Sequence, residues 1–185
     1  MVFLAKGKRG KVYLKGEIAT KKSQPFRVMN EVYWLKILNK HKIGPNLVSY
    51  TKNSFSYRFI EGEEILKWAE KVSKKSIIKV LKAVIKQCEI MDSLKVNKKE
   101  MNHPYKHILI SNDKPVMIDF ERCKLTSNPK NVNQFFQFLI NSRMSSILKE
   151  KGITINEKEI KELLKEYKRT RDKKVLNKLV EFFSY

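Results

Sequence analysis

The chain has 185 residues, 42% of them hydrophobic, and a formal net charge of +21 carried mainly by lysine. That length suits one domain or two small lobes sharing a cleft, and the apolar content excludes a disordered chain. The start, "MVFLAKGKRG", matches neither a signal peptide nor a membrane span, and no later run is long enough to cross a membrane; the expected location is the cytoplasm, with no membrane partner.

The first fifty-odd residues read as strands plus one helix. "KVYL" and "EIATK" are short alternating runs separated by Lys15-Gly16, a hairpin signal. "PFRVMNEVYWLKILNKHKIG" reads as a helix: Pro25 fits its first turn, and Val28, Val32, Leu35 and Leu38 recur at helical spacing. Gly44-Pro45 stops it. "LVSYTK" and "SFSYRFI" predict two more strands around a "KNS" turn, and Glu61-Gly62 breaks the pattern. The chain then turns helical. "SIIKVLKAVIKQCEIMDSL" puts Ile77, Leu81, Val84, Ile85 and Cys88 on one face. "ILISNDKPVMIDF" predicts a hairpin turning at Asn112-Asp113. "NPKNVNQFFQFLINS" aligns Val132, Phe135, Phe136 and Leu139, and "EKEIKELLKEYKRT" and "KKVLNKLVEFF" predict two helices in the tail. Glu157 and Lys161 have the favourable four-residue spacing.

The charge has two readings. It attracts RNA, a ribonucleoprotein or another polyanion, or it is a lysine-rich solvated surface; pairs such as Lys74-Lys75, Lys98-Lys99 and Lys173-Lys174 fall on or beside amphipathic segments. Cys88 and Cys123 lie far apart with no metal-ligand spacing, so two ordinary thiols in a reducing compartment are expected.

Four segments carry candidate chemistry. "LAKGKRGKVYL" places Ala5, Gly7, Gly10 and Val12 in an A-x-G-x-x-G-x-V pattern, whose glycines let backbone N–H groups approach phosphates. A tight turn in a basic hairpin would look the same. On "EIATK", Ala19 and Lys21 share a face. Glu31 lies on the following helix, where a glutamate is ordinarily solvated. "FIEG", with Phe59 and Glu61, follows the strands and offers backbone groups to an adenine edge. Finally, in "EMNHPYKHILISNDKPVMIDFERC", an apolar strand ends at Asp119, a hard oxygen ligand suited to Mg2+ or a turn-capping residue.

In this order, the segments from Leu4 to about Leu139 resemble the protein kinase-like superfamily. They look most like compact archaeal atypical, RIO-like predicted serine/threonine kinases carrying an N-H-P-x-K-H loop. The resemblance implies an α+β, two-lobed kinase-like fold: a small β-rich lobe with one helix over residues 1–61, and a reduced helical lobe over 62–185. It implies ATP and Mg2+ in the cleft. Ala5, Gly7, Gly10, Val12, Ala19, Phe59 and Glu61 would line the nucleotide. Lys21 would bind the α/β-phosphates, held by Glu31, and Asp119 would bind the metal. The γ-phosphoryl would go to a serine or threonine hydroxyl of a protein.

The chain departs from the pattern in the catalytic loop. Asn102 stands where the catalytic aspartate belongs, and His107 where the metal-binding asparagine belongs. Asparagine accepts no proton at neutral pH, and histidine is a poor magnesium ligand. His103 or His107 acting as base, Glu100 reaching in, or a reaction needing no strong base would each restore function. Lys106 is a candidate contact for the transferred phosphate, and Glu121, in place of the usual glycine, a second carboxylate near the metal. The alternatives are a pseudokinase or nucleotide- or RNA-binding regulatory module, and an ATPase or small-molecule phosphotransferase.

Overall fold

The computed structural model describes residues 1–7 and 10–183. It is an α+β fold in which antiparallel sheets and seven α-helices share one apolar core. β1 (Val2–Gly7), β2 (Gly10–Lys15) and β3 (Ile18–Ser23) form a meander, and the sheet order is β1-β2-β3-β5-β4. α1 (Pro25–Leu38) crosses from β3 to β4 (Leu47–Tyr50), which pairs with β5 (Ser54–Arg58). Its predicted stripe packs on the sheet, with Val28, Val32, Leu35 and Leu38 all buried.

Two glycines in this part meet backbone or core atoms. A Cβ on Gly10 would sit 2.7 Å from the Lys22 carbonyl oxygen of the neighbouring strand. The glycine therefore already has a structural reason, strand approach, whatever it does for phosphates. Gly10→Ala is expected to separate β2 from β3 and cost about 1–3 kcal/mol, as overpacking does; a urea midpoint unchanged from wild type would show that the strands yield freely. Gly44 has φ of +83°, and a Cβ there would lie 2.9 Å from both Leu35 and Phe120.

β6 (Glu63–Glu64) leads into α2 (Ile65–Lys71) and α3 (Lys74–Ser93), which is capped by Ser73 accepting from the Ser76 N–H. Ile77, Leu81, Val84, Ile85 and Cys88 are buried on α3 as their spacing predicts. β7 (Val96–Asn97) follows, then β8 (Ile108–Ser111) and β9 (Lys114–Met117), which form a hairpin that pairs with β6. Asn112 and Asp113 both take positive φ, the geometry of a two-residue turn matching strand twist. β10 (Lys124–Leu125) returns to β7. The tail holds α4 (Asn131–Asn141), α5 (Arg143–Glu150), α6 (Glu157–Thr170) and α7 (Lys173–Glu181). Lys161 reaches Glu157 at 3.0 Å.

One polar hub ties the helical part together. Asn131 is fully buried: its side-chain oxygen accepts from the Lys98 N–H, and its amide donates to Asp92 Oδ1 and the Val96 carbonyl. Arg171 donates to Asp92 Oδ2 at 3.0 Å from the far end of α6. Burial raises the Asp92 carboxyl above its usual range, while the Asn131 bonds and then Arg171 oppose the shift. Asn131→Ala leaves a buried N–H and a buried carbonyl unpaired. It should cost about 2–4 kcal/mol, read as a lowered urea midpoint; loss of less than about 0.5 kcal/mol would mean the hub rearranges.

Among the described residues no helix is long and apolar enough to cross a membrane. Both cysteines are free and buried, and burial pushes the Cys123 thiol up to about 12, with Lys98 opposing.

Candidate active site

The site forms where the end of the β9 segment meets β3 and α1. β3 alternation turns Ala19 into the core, fully buried, and Lys21 toward α1 with a side chain only 15% exposed. Lys21 Nζ donates to Glu31 Oε2 at 2.7 Å and to Asp119 Oδ1 at 3.0 Å, and lies 3.6 Å from Glu121 Oε2. Glu31 is buried, so the solvated reading of that residue does not hold. Its second oxygen accepts from the Phe120 N–H at 3.0 Å, clamping α1 to the segment after β9. Arg27, one turn earlier on α1, donates to Glu121 Oε1 at 3.2 Å. Asn30 and Trp34 donate to the carbonyl of Cys123, at 3.3 and 2.9 Å.

These partners set the ionisation states. Burial disfavours the Lys21 ammonium, but Glu31 and Asp119 outweigh it and raise its pKa. Burial pushes the Glu31 carboxyl up against the pull of Lys21. Burial also opposes ionisation of Asp119, yet Lys21 and Lys98 together hold its carboxyl below the ordinary value. The His107 imidazole is lowered, first by burial and then by Lys98, so it is neutral at pH 7.

Lys98 is the residue of the site that the sequence does not reveal. It reads as half of a solvated lysine pair, but it is 1% exposed, while Lys99 beside it is in solvent. Its ammonium donates to the Ile118 carbonyl at 2.8 Å and to the Asp119 carbonyl, and lies 4.8 Å from the centre of the Phe120 ring. Asp119 has φ of +64°, an uncommon conformation for a residue with a Cβ. Lys98 bonded to its carbonyl, and Glu31 bonded to the next N–H, hold it there. A string of apolar residues cannot supply this; the only sequence signal is position, a lysine directly after a buried two-residue strand.

The loop before β8 is less converged. Asn102 is half-buried, while His103 and Lys106 are exposed on either side of buried Pro104. Among the described residues, the Asn102 and His103 side chains make no hydrogen bond, and Lys106 lies 5.9 Å from the centre of the Tyr105 ring. His107 is closer in: Nε2 is 4.0 Å from Asp119 Oδ2, and Nδ1 is 3.9 Å from Glu100 Oε2. Glu100 is engaged by Arg122 at 2.5 Å, so it flanks His107 and is not a free carboxylate reaching toward an acceptor.

The remaining predicted residues line one side. Ala5 and Val12 are paired across β1 and β2, as are Gly7 and Gly10; the loop tip between them, and the side chain of Lys6, lie outside the described residues. Val12 also pairs with Lys21. The Phe59 N–H donates to the Glu17 carbonyl at 2.8 Å, extending the sheet. Glu61 is exposed, and the N–H groups of Ile60 and Glu61 make no backbone hydrogen bond among the described residues.

Oxygens of Glu31, Asp119 and Glu121 all lie within 4.8 Å of one another, so the cluster has the composition of a divalent-cation site. Most of it is already engaged, however. Glu31 holds Lys21 and Phe120, Glu121 holds Arg27, and Asp119 Oδ1 holds Lys21. Asp119 Oδ2, the oxygen of that carboxylate not bonded to Lys21, faces His107 Nε2 at 4.0 Å. With most of these oxygens held by cations of the chain, a hard cation would find few open protein ligands here.

The geometry defines an α+β protein with a buried lysine clamped by carboxylates from two distant segments. No protein-family model matches the chain. It is 32% identical over 114 residues to the uncharacterized protein MJ1211 of Methanocaldococcus jannaschii, a match that takes in 60% of this chain and 97% of that protein. The chain belongs to the same family as that archaeal protein.

Proposed function

We propose that the protein is an ATP-dependent phosphotransferase with a two-lobed, kinase-like arrangement, acting on serine or threonine hydroxyls of a protein. The observation that carries this is the convergence of Lys21, Glu31 and Asp119. Asp119 lies 98 positions from Lys21, yet the ammonium of Lys21 bonds both carboxylates. A surface lysine does not need one buried and one half-buried acid drawn from distant segments. A phosphate-binding lysine does need to be held extended and charged until the nucleotide arrives.

In this reading Lys21 exchanges its bond to Asp119 for the α- and β-phosphates while Glu31 keeps its orientation. Gly7 and Gly10 would cover the phosphates, and Ala5, Val12 and Ala19 would flank the base, with Glu61 beyond β5. Bound Mg2+ would neutralise charge on the phosphates; Asp119 Oδ2 would hold it, with His107 alongside. Asn102 accepts a hydrogen bond from the acceptor hydroxyl and orients it, and Lys106 meets the transferred group. A strong base is not required, because phosphoryl transfer depends mainly on positioning and charge neutralisation. His103, exposed and next to Asn102 in the chain, would take the hydroxyl proton.

Asn102 also favours a second reading, a pseudokinase that binds nucleotide and regulates a partner. The exposed lysines of α3, α6 and α7 suit RNA or a ribonucleoprotein as that partner, and equally a solvated basic surface. Incubation of the full chain with γ-labelled ATP, divalent metal and a serine-rich acceptor such as casein separates the readings. Label transferred by wild type and absent with Lys21→Met supports the enzyme. Nucleotide bound with no transfer to casein or to the protein itself supports the regulatory module.

A further inference from the structure

The carboxylate and imidazole at the edge of the site are arranged in a row: Glu100, His107, Asp119. Glu100 Oε2 is 3.9 Å from His107 Nδ1, and His107 Nε2 is 4.0 Å from Asp119 Oδ2. A hydrogen bond between the ring and Asp119 would need about 2.8 Å, so the residues face each other without bonding. Two ligands on one octahedral ion with arms of about 2.1 Å stand roughly 3.0 Å apart when adjacent and 4.2 Å apart when opposite. The observed gap of 4.0 Å is close to the separation of opposite ligands.

Three further features point the same way. Without nucleotide, Asp119 Oδ1 accepts from Lys21 and Oδ2 faces the ring. His107 Nδ1 is buried and has no hydrogen-bond partner. The carboxylate nearest that nitrogen, Glu100, is itself fixed by Arg122. A metal-bound histidine ordinarily passes its other ring N–H to such an outer carboxylate, which sets the tautomer and the ring orientation. A slight rotation of the ring toward Glu100 completes that bond and presents the Nε2 lone pair to Asp119.

Resting on the phosphotransferase reading, we infer that His107 Nε2 and Asp119 Oδ2 ligate the nucleotide-borne dication, with Glu100 behind the imidazole, and that this nitrogen ligand makes the site select Mn2+ over Mg2+. Mg2+ demands hard oxygen ligands, whereas Mn2+ accepts imidazole alongside carboxylate and phosphate oxygens. Glu31, Glu121 and Asp119 are already offset by Lys21, Arg27 and Lys98, so the ion binds chiefly together with the phosphates. Glu100 is a positioning residue here, since it reaches the ion only through His107.

The test is pulsed electron paramagnetic resonance of Mn2+ on the full chain, with and without ATP, next to titrations of ATP in Mn2+ and in Mg2+. Wild type should show nitrogen modulation of the Mn2+ signal and bind ATP at least about tenfold more tightly with Mn2+. His107→Asn, which puts an oxygen ligand in its place, should still bind the nucleotide, lose the modulation and bring the two metals toward parity. Glu100→Gln should keep the modulation and weaken Mn2+ binding about 10- to 100-fold. Mn2+–ATP bound without nitrogen modulation overturns the inference, as does modulation that persists in His107→Asn. If neither metal supports ATP binding but Mn2+ alone shows modulation lost in His107→Asn, the ion site stands and the nucleotide reading falls.

Discussion

Asp119→Asn is expected to keep the fold and to lose phosphoryl transfer by at least about a hundredfold, the scale on which one preorganised charge contact acts. Asp119 sits at φ of +64°, where asparagine is better tolerated than most residues with a Cβ. The amide oxygen can still accept from Lys21, and Lys21 retains Glu31 at 2.7 Å. What disappears is the negative charge that, in the proposed function, would meet the metal. The stability change should stay within about 1–2 kcal/mol. Because Lys21 and Lys98 hold the folded-state pKa of Asp119 low, its ionised form contributes stability that is present above the ordinary carboxylate value. That share is lost as pH falls through the lowered value. Urea titrations of wild type and variant should therefore converge at strongly acid pH. Turnover retained by Asp119→Asn would remove this residue from the chemistry.

Lys98→Met is expected to do the opposite, damaging the fold first. The change conserves much of the volume and withdraws a buried ammonium from two carbonyl groups. Bonds from charged donors contribute about 1.5–3 kcal/mol each, so the loss should be about 3–5 kcal/mol. That is a large part of the stability of a domain this size. Asp119 then loses one of the two contacts that hold its backbone, so whatever protein remains folded should also bind nucleotide poorly. A variant as stable as wild type would show that water reaches the Ile118 and Asp119 carbonyls.

The contrast between these two residues marks what could be read from the chain. Asp119 is conspicuous because an apolar strand runs straight into it. Lys98 is hidden because a lysine pair in a lysine-rich chain has the pattern of a solvated face, and burial of a charge depends on acceptors contributed by a distant hairpin. The strands and long helices follow from short-range periodicity: Val28, Val32, Leu35 and Leu38, or Val132, Phe135, Phe136 and Leu139, define their faces within a few turns. β1 escapes this logic because Val2, Phe3 and Leu4 are all exposed on the edge of the sheet and show no alternation. α5 is short, and its buried Met144, Ile147 and Leu148 span barely more than one turn.

At the site, face sharing by Ala19 and Lys21 is a property of strand alternation and was legible. That Glu31 is buried and bonded to Lys21 was carried only by the resemblance, since spacing alone places a helix glutamate in solvent. The engagement of Phe59 by Glu17 is a consequence of sheet pairing, which no short-range pattern displays.

In the proposed function Lys21 and its carboxylates form a nucleotide-phosphate site. Calorimetric titration of ATP into the full chain with divalent metal, repeated with Lys21→Met, tests this. One nucleotide per chain is expected, dependent on the metal, with binding lost in a Lys21→Met protein whose circular dichroism shows that it is still folded. Folded wild-type protein that takes up no ATP with either Mg2+ or Mn2+, or a Lys21→Met variant that binds as wild type does, would contradict it.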